Sequence, residues 1–177
     1  MSEAPQSNAH GREVFYELCR RLRRNVERQL PDQSDQILRL PATTYSDAAQ
    51  YRREMEGIFG KVPLLVALAC DIPQPGDFLT MNIIGRPLLI VRGDDGRARV
   101  FLNTCRHRGA AVAGGECGNA RMFVCPYHSW SYDRQGKLRG IPDNGSFGDP
   151  SVEGLSQLPT DEVAGAIFAS LDPETTI

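Results

Sequence analysis

The sequence predicts a mainly β protein, a small antiparallel sandwich or barrel preceded by one or two N-terminal helices. Apolar residues recur at helical spacing only within the first 59 residues. From residue 60 onward they fall into short segments of strand length, separated by turns that contain glycine and aspartate. No helix-like segment long enough for a parallel crossover separates these strands, so neighbouring strands should pair antiparallel.

A first helix is predicted over 12–29, after a polar tail at 1–10, and Pro31 ends it. Its apolar positions are Val14, Phe15, Leu18, Leu22 and Val26. The arginines around them are Arg20, Arg21, Arg23, Arg24 and Arg28. An arginine-rich face is typical of a solvated surface, and a subunit contact is the alternative. Residues 31–44 are predicted to form a linker.

A second helix is predicted over 46–59, with Ser46 as its N-cap and Gly60 at its end. One face of this helix would carry Ala48, Tyr51, Met55, Ile58 and Phe59. The strands predicted beyond it are 62–69, 77–83, 87–92, 98–103, 120–124, 130–133, 137–139 and 163–171. Turns at 93–96 and 134–136 should join two hairpins.

Length and charge narrow the possible partners. The 177 residues suffice for one domain with a short extension. A net charge of −2 does not indicate binding to nucleic acid or to an anionic membrane, both of which attract basic proteins. Residues 1–12 lack the apolar core of a signal peptide, and the longest apolar segment, 62–70, is too short to span a bilayer. A cytoplasmic location is therefore expected, with neither nucleic acid nor membrane as a partner.

The chain contains five cysteines. Cys19, Cys70 and Cys117 lie outside the motifs described next, an odd set without a disulfide pattern. In a reducing cytoplasm they are expected to be free thiols. Cys19 and Cys70 are expected to be buried as small apolar side chains, and Cys117 to lie in a loop.

Two short motifs combine cysteine with histidine: Cys-Arg-His at 105–107 and Cys-Pro-Tyr-His at 125–128, seventeen residues apart. The candidate ligands are Cys105, His107, Cys125 and His128. Two thiolates on one iron and two imidazoles on the other is the ligand set of a Rieske-type [2Fe–2S] cluster. A tetrahedral zinc site in an interaction module is the alternative, although zinc sites more often pair two cysteines in one half and two histidines in the other.

The residues around these motifs resemble the cluster loops of the α-subunits of aromatic-ring-hydroxylating oxygenases. The similar segments are Asn-Thr-Cys-Arg-His-Arg-Gly at 103–109 and Cys-Pro-Tyr-His-Ser-Trp-Ser-Tyr-Asp at 125–133. The resemblance extends from about residue 40 to residue 173, including the segments 72–77 and 166–173. It implies a Rieske fold with one [2Fe–2S] cluster bound by the four candidate ligands.

The resemblance also implies a domain organisation and partners. Residues 1–40 would form a tail and a basic amphipathic helix, and residues 41–177 the Rieske domain. A reductase or ferredoxin would donate electrons, and a mononuclear iron on another domain or subunit would accept them. The full-length protein would be a homotrimer. The absence of a membrane-spanning segment counts against the respiratory Rieske proteins, which by resemblance would carry an N-terminal membrane anchor.

The mononuclear iron of such an oxygenase needs two histidines and one carboxylate, which the family carries in a larger C-terminal domain. This chain holds three histidines, and His10 is the one outside the two motifs. The chain alone is therefore expected to transfer electrons without oxygenating a substrate. A free-standing Rieske ferredoxin is the alternative.

Several residues near the motifs are expected to set the reduction potential. Glycines Gly109, Gly114, Gly115 and Gly118 should let the first loop bring backbone N–H groups near the sulfides. Tyr132 is expected to donate a hydrogen bond to a ligand sulfur. By resemblance, Ala110, Tyr127 and Trp130 replace the two disulfide cysteines and the serine donor of the respiratory branch. Fewer donors predict a potential of roughly −150 mV.

Three side chains would raise that potential if they reached the cluster. Ser129 stands where the oxygenases often have glycine, and its hydroxyl is a possible donor to a sulfide. Arg106 and Arg108 flank the first histidine and would act in the same direction.

Overall fold

The computed structural model describes residues 9–34, 36–142 and 154–177. Its packing forms two units, Met1–Thr44 and Tyr45–Ile177, each of which is described by itself. Within the described residues, no helix is long and apolar enough to cross a membrane.

In the N-terminal unit, helix α1 spans Ala9–Arg28, and a short 3₁₀ helix at Ala42–Tyr45 begins at the end of the predicted linker. The predicted helix is thus confirmed, beginning three residues earlier than expected. Ion pairs run along its surface, from Glu17 to Arg20 and from Arg23 to Glu27. Such exposed pairs contribute about 0.3–0.5 kcal/mol each. None of the side chains described in α1 is buried, and its apolar positions Val14, Phe15, Leu18, Leu22 and Val26 are all exposed.

Helix α2 at Ala48–Glu54 opens the larger unit and continues as a π-helical turn at Met55–Phe59. Asp47, not Ser46, caps its N-terminus, because the Asp47 carboxylate accepts a hydrogen bond of 2.7 Å from the backbone N–H of Ala49. Gly60 ends the helix as predicted, donating its N–H to the Met55 carbonyl oxygen at 2.8 Å.

Eleven short strands follow among the described residues. Their bounds are β1 Leu64–Leu68, β2 Asp77–Ile83, β3 Arg86–Arg92, β4 Ala98–Leu102, β5 Cys117–Asn119, β6 Met122–Val124, β7 Ser131–Asp133, β8 Leu138–Gly140, β9 Gln157–Leu158, β10 Thr160–Val163 and β11 Ala166–Ala169. All strand pairs between them are antiparallel. The predicted mainly β, antiparallel fold is confirmed.

These strands form three sheets. The central sheet has the order β5-β2-β3-β4-β9, and the two smaller sheets have the orders β1-β11-β10 and β6-β7-β8. The predicted turn at 93–96 joins β3 to β4, and the turn at 134–136 joins β7 to β8. In the second turn Gly136 has a φ of 78°, which favours glycine, and a Cβ there would lie 2.4 Å from the Phe101 ring.

Strand β3 is buried on both faces, and this places the central sheet between two cores. Successive residues of a strand point to opposite faces. Leu88 and Ile90 pack into one core with Ile167 of β11. Leu89 and Val91 pack into the other core with Phe123 and Tyr132. Cys105 and Cys125 belong to this second core, so it lies against the candidate metal centre.

A partly buried ion pair ties the central sheet to the sheet of β1, β11 and β10. Arg92 of β3 is buried, and its guanidinium lies 2.5 Å from the carboxylate of Glu162 in β10. Arg92 also donates hydrogen bonds of 2.9 Å to the carbonyl oxygens of Ile72 and Gly96. The buried guanidinium is therefore paired with a carboxylate and hydrogen-bonded to two backbone carbonyl groups.

The C-terminal segment differs from the prediction of one strand over 163–171. The chain forms the hairpin β10–β11 there, with Ala164 and Gly165 at φ of 51° and 80°. A two-residue type I′ turn requires positive φ at both of its central residues. The turn was not predicted because alanine, unlike asparagine, aspartate or glycine, is not typical of the first position. Strand β9 was not predicted, because two residues are too few to show a period.

Two predictions about cysteines are wrong. Cys19 and Cys70 are exposed, not buried. Cys19 lies on α1, which buries no described side chain, and Cys70 lies in the short 3₁₀ turn Ala69–Asp71 that follows β1. Cys117, expected in a loop, begins the edge strand β5, where it pairs with Leu79.

Candidate metal centre

The first ligand loop runs between β4 and β5 and begins as a closed turn. The Cys105 N–H donates to the Ala110 carbonyl oxygen at 2.7 Å, and the Gly109 N–H donates back to the Cys105 carbonyl oxygen at 2.8 Å. Gly109 has a φ of 73° and makes this return possible. Gly109 therefore lets the loop turn tightly, as expected, and its own N–H is used inside the loop.

The second loop, between β6 and β7, repeats this pattern. The Cys125 N–H donates to the Trp130 carbonyl oxygen at 2.8 Å, and the Ser129 N–H donates to the Cys125 carbonyl oxygen at 2.9 Å. Ser129 has a φ of 57°, at the position that Gly109 occupies in the first loop. This left-handed backbone conformation explains why glycine suits the position. A residue with a Cβ, such as Ser129, adopts it only with backbone strain.

The two loops bring the four sequence-predicted ligands together. The thiols of Cys105 and Cys125 are 4% and 2% exposed and lie in the same core. The imidazoles of His107 and His128 are half-buried, with ring centroids 4.7 Å apart. One side of the site is therefore a buried pair of sulfur atoms, and the other is a pair of imidazoles nearer the surface.

The electrostatics of the site favour a neutral imidazole at His107. Burial lowers the pKa of His107, and the positive charges of His128 and Arg108 lower it further. The Nδ1 atom of His128 is buried and has no hydrogen-bond partner among the described protein atoms. A neutral imidazole with an available lone pair is the form that binds a metal. Among the described residues, no three His, Cys, Asp or Glu side chains are grouped to hold a single ion.

Each imidazole lies against an aromatic ring. The indole of Trp130 stacks on His107, with centroids 4.9 Å apart and planes 7° from parallel. The ring of Tyr127 stacks on His128 at 3.8 Å and 29°. Trp130 is 4% exposed and Tyr127 is 60% exposed, so one ring lies in the core and the other at the surface. The sequence singled out both residues only as replacements and did not reveal this stacking.

Tyr132 lies next to the sulfur side of the site. Its hydroxyl oxygen is 3.3 Å from Cys105 Sγ and accepts a hydrogen bond of 3.1 Å from the Arg106 N–H. Burial raises the pKa of Tyr132, and the hydrogen bond to Cys105 raises it further. The hydroxyl therefore stays protonated at neutral pH and is positioned to donate to a thiolate at Cys105, as expected from the sequence.

The other expected donors have different positions. Arg106 is exposed, and its guanidinium donates to the Ser156 hydroxyl at 3.0 Å, which draws the side chain toward β9. Arg108 and Ser129 are exposed as well. Gly118, assigned to the first loop from the sequence, pairs with Phe78 inside β5.

The Rieske [2Fe-2S] domain matches residues 62–159, which are 98 of the 177 residues and include both loops. The chain therefore belongs to the Rieske [2Fe–2S] domain family, whose cofactor is a [2Fe–2S] cluster.

The similar proteins are oxygenases. The biphenyl 2,3-dioxygenase subunit alpha of Rhodococcus jostii (strain RHA1) is 38% identical over 143 residues, 77% of this chain and 30% of that protein. The glycine betaine monooxygenase oxygenase subunit of Pseudomonas aeruginosa (strain UCBPP-PA14) is 37% identical over 139 residues, 77% and 32% of the two chains. The structure of naphthalene 1,2-dioxygenase from Rhodococcus sp. bound to indole superposes with a TM-score of 0.71 and 34% identity, covering 78% of this chain and 33% of that one.

The chain thus spans about a third of the length of the proteins it matches. It is homologous to the N-terminal Rieske domain of the α-subunits of ring-hydroxylating oxygenases.

Proposed function

We propose that Cys105 and Cys125 bind one iron of the [2Fe–2S] cluster, and that His107 and His128 bind the other. The observation that carries this assignment is the convergence of two buried thiols and two half-buried imidazoles from two matching loops. The donor set fits the group, because a Rieske cluster needs two thiolates and two neutral imidazoles. The buried Nδ1 of His128, which has no hydrogen-bond partner in the described parts of the chain, supports the fit.

When bound, such a cluster accepts and releases one electron. The chain supplies its surroundings. The Tyr132 hydroxyl lies 3.3 Å from the Cys105 sulfur and would donate to it as a thiolate ligand, which would stabilise added negative charge. The rings of Trp130 and Tyr127 hold the planes of the two imidazoles. The apolar core around the thiols excludes water from the sulfur side.

The proposed act of the chain is to pass single electrons from a reductase or ferredoxin to a mononuclear iron on another domain or subunit. Its similarity to oxygenase subunits three times its length supports this role. We assign residues 41–177 to the Rieske domain and residues 1–40 to an N-terminal extension. The homotrimer of the full-length protein and the cytoplasmic location belong to the same proposal, and the free thiols of Cys19, Cys70 and Cys117 suit a reducing compartment.

The proposed substrate class of the complete oxygenase is aromatic. The names of biphenyl 2,3-dioxygenase and naphthalene 1,2-dioxygenase support that class. A quaternary ammonium compound is the second candidate, because glycine betaine monooxygenase matches with nearly the same identity.

Electron transfer without oxygenation is tested with the chain alone. The cluster-loaded chain is mixed with a reductase, oxygen, and aromatic and quaternary ammonium substrates, and both electron uptake and products are measured. Reduction and reoxidation without product is expected, because only His10 remains beyond the two proposed ligand histidines. Hydroxylated product in proportion to the electrons consumed would show that the proposed role is wrong.

A further inference from the structure

Asn103 is a buried polar residue at the end of β4, two residues before Cys105. The residue is only 5% exposed, and both the oxygen and the nitrogen of its side-chain amide form hydrogen bonds. The amide oxygen Oδ1 accepts hydrogen bonds of 3.0 Å from the backbone N–H groups of Val112 and Ala113. The amide nitrogen Nδ2 donates to the carbonyl oxygen of Ala113, also at 3.0 Å. One side chain therefore satisfies three backbone groups of the first ligand loop.

These bonds join the two ends of that loop. The segment enclosed between Asn103 and Val112 contains both ligands that the first loop is proposed to supply, Cys105 and His107. The N–H of Asn103 donates to the carbonyl oxygen of Pro87 in β3 at 2.8 Å, which fixes its backbone to the central sheet. The amide thus connects the far end of the loop to the most buried strand of the fold.

We propose that Asn103 is a positioning residue for the cluster, holding the first ligand loop closed so that Cys105 and His107 meet the irons in one fixed geometry. The inference rests on the proposed function, because it concerns the ligands assigned there. Asn103 is not one of the four proposed ligands. It acts through the backbone of Val112 and Ala113, which share the core with both cysteines.

Removal of the Asn103 amide should change the positions of Cys105 and His107. In Asn103→Ala, two N–H groups and one carbonyl oxygen lose their partners inside the protein, which is the costly case for a hydrogen bond. The loop would open to regain partners, and the ligand pair would lose its fixed spacing. Replacing a residue that orients a metal ligand typically lowers metal affinity by about 10- to 100-fold.

The experiment compares Asn103→Ala with Asn82→Ala, in the full chain purified with its cluster under inert gas. Asn82 is exposed on β2, and its side chain forms no hydrogen bond among the described residues, so the control deletes the same amide from a surface position. The measurements are the rate of cluster loss, the electron paramagnetic resonance spectrum after reduction, and the midpoint potential. Asn103→Ala should lose the cluster at least about tenfold faster, with a changed spectrum and potential. Asn82→Ala should match the unchanged chain.

A second variant, Asn103→Asp, keeps an oxygen acceptor for the N–H groups of Val112 and Ala113 and removes the donor to Ala113. It should hold the cluster at least about threefold longer than Asn103→Ala. If the alanine variant is isolated without a cluster, Asn103→Asp should still be isolated with one. Cluster loss, spectrum and potential unchanged in Asn103→Ala would overturn the inference, as would equally fast loss from both Asn103 variants. An unchanged chain that binds no iron would instead overturn the proposed function.

Discussion

The indole ring of Trp130 lies parallel to the imidazole of His107, with the ring centroids 4.9 Å apart. The two residues belong to different ligand loops, so the stack couples the loops to each other. Trp130 is buried in the core that holds both cysteines. The orientation of a proposed ligand in one loop therefore depends on a side chain in the other.

Replacement of Trp130 should lower the stability of the protein. Trp130→Ala should lower the free energy of unfolding by about 3–5 kcal/mol, as expected for a large buried aromatic. Trp130→Phe keeps a ring against His107 and should cost less. Urea unfolding followed by circular dichroism provides the measurement. A loss below about 1 kcal/mol in Trp130→Ala would contradict this account of the stack.

The matching turns of the two loops predict opposite effects at equivalent positions. Ser129→Gly should raise the free energy of unfolding by about 0.5–1 kcal/mol, since relief of the positive φ exceeds the entropy gained by the unfolded chain. Gly109→Ala should lower it by about 1 kcal/mol through the backbone alone, because a Cβ there meets nothing within 4 Å. Unfolding curves of both variants test the pair. Changes of the same sign would show that the loops are not equivalent.

Acid should weaken the β7–β8 hairpin through Asp133. Burial raises the pKa of Asp133, but hydrogen bonds from the Arg139 side chain and the N–H groups of Lys137 and Gln135 outweigh burial and lower it. A lowered folded pKa contributes stability that is complete above the unfolded pKa of about 3.9 and is lost as the pH falls through the folded value.

Asp133→Asn should therefore destabilise the protein at pH 7, by about 1–2 kcal/mol, and the difference from the unchanged chain should shrink below about pH 4. Urea unfolding between pH 7 and pH 3 measures it. Glu116→Gln is the control, because Glu116 is exposed and its carboxylate has no partner among the described residues. A difference for Asp133→Asn that stays constant over this range would refute the assignment.

Much of the fold followed from local patterns. Strand β2 occupies 77–83 as predicted, and the turns at 93–96 and 134–136 were evident from their glycines. The exposure of Cys19 was not predictable, because helical periodicity shows which face is apolar and not whether another element covers it. The four proposed ligands were apparent from their chemistry and spacing. The stack of Trp130 on His107 was not, since it joins residues from two loops.

Tyr132 should raise the reduction potential of the centre. Tyr132→Phe removes the hydroxyl 3.3 Å from Cys105 Sγ, and one hydrogen bond of about 0.5–1.5 kcal/mol corresponds to a fall of about 20–60 mV for one electron. The unchanged chain should titrate near the lower end of the Rieske range, roughly −150 mV. Tyr127→Phe, which keeps the surface ring on His128, is the control for loss of a tyrosine hydroxyl. An unchanged potential in Tyr132→Phe, or a value above about +100 mV in the unchanged chain, would contradict the prediction.

The central claim is that Cys105, His107, Cys125 and His128 bind a [2Fe–2S] cluster, and metal and sulfide analysis with electron paramagnetic resonance tests it most directly. The chain purified under inert gas should be red-brown and contain two irons and two acid-labile sulfides, with a Rieske-type signal after reduction. Cys125→Ala should lose the cluster, whereas Cys117→Ala, at an exposed thiol outside the site, should keep it. One zinc ion and no colour after cluster reconstitution, or an intact cluster in Cys125→Ala, would contradict the account.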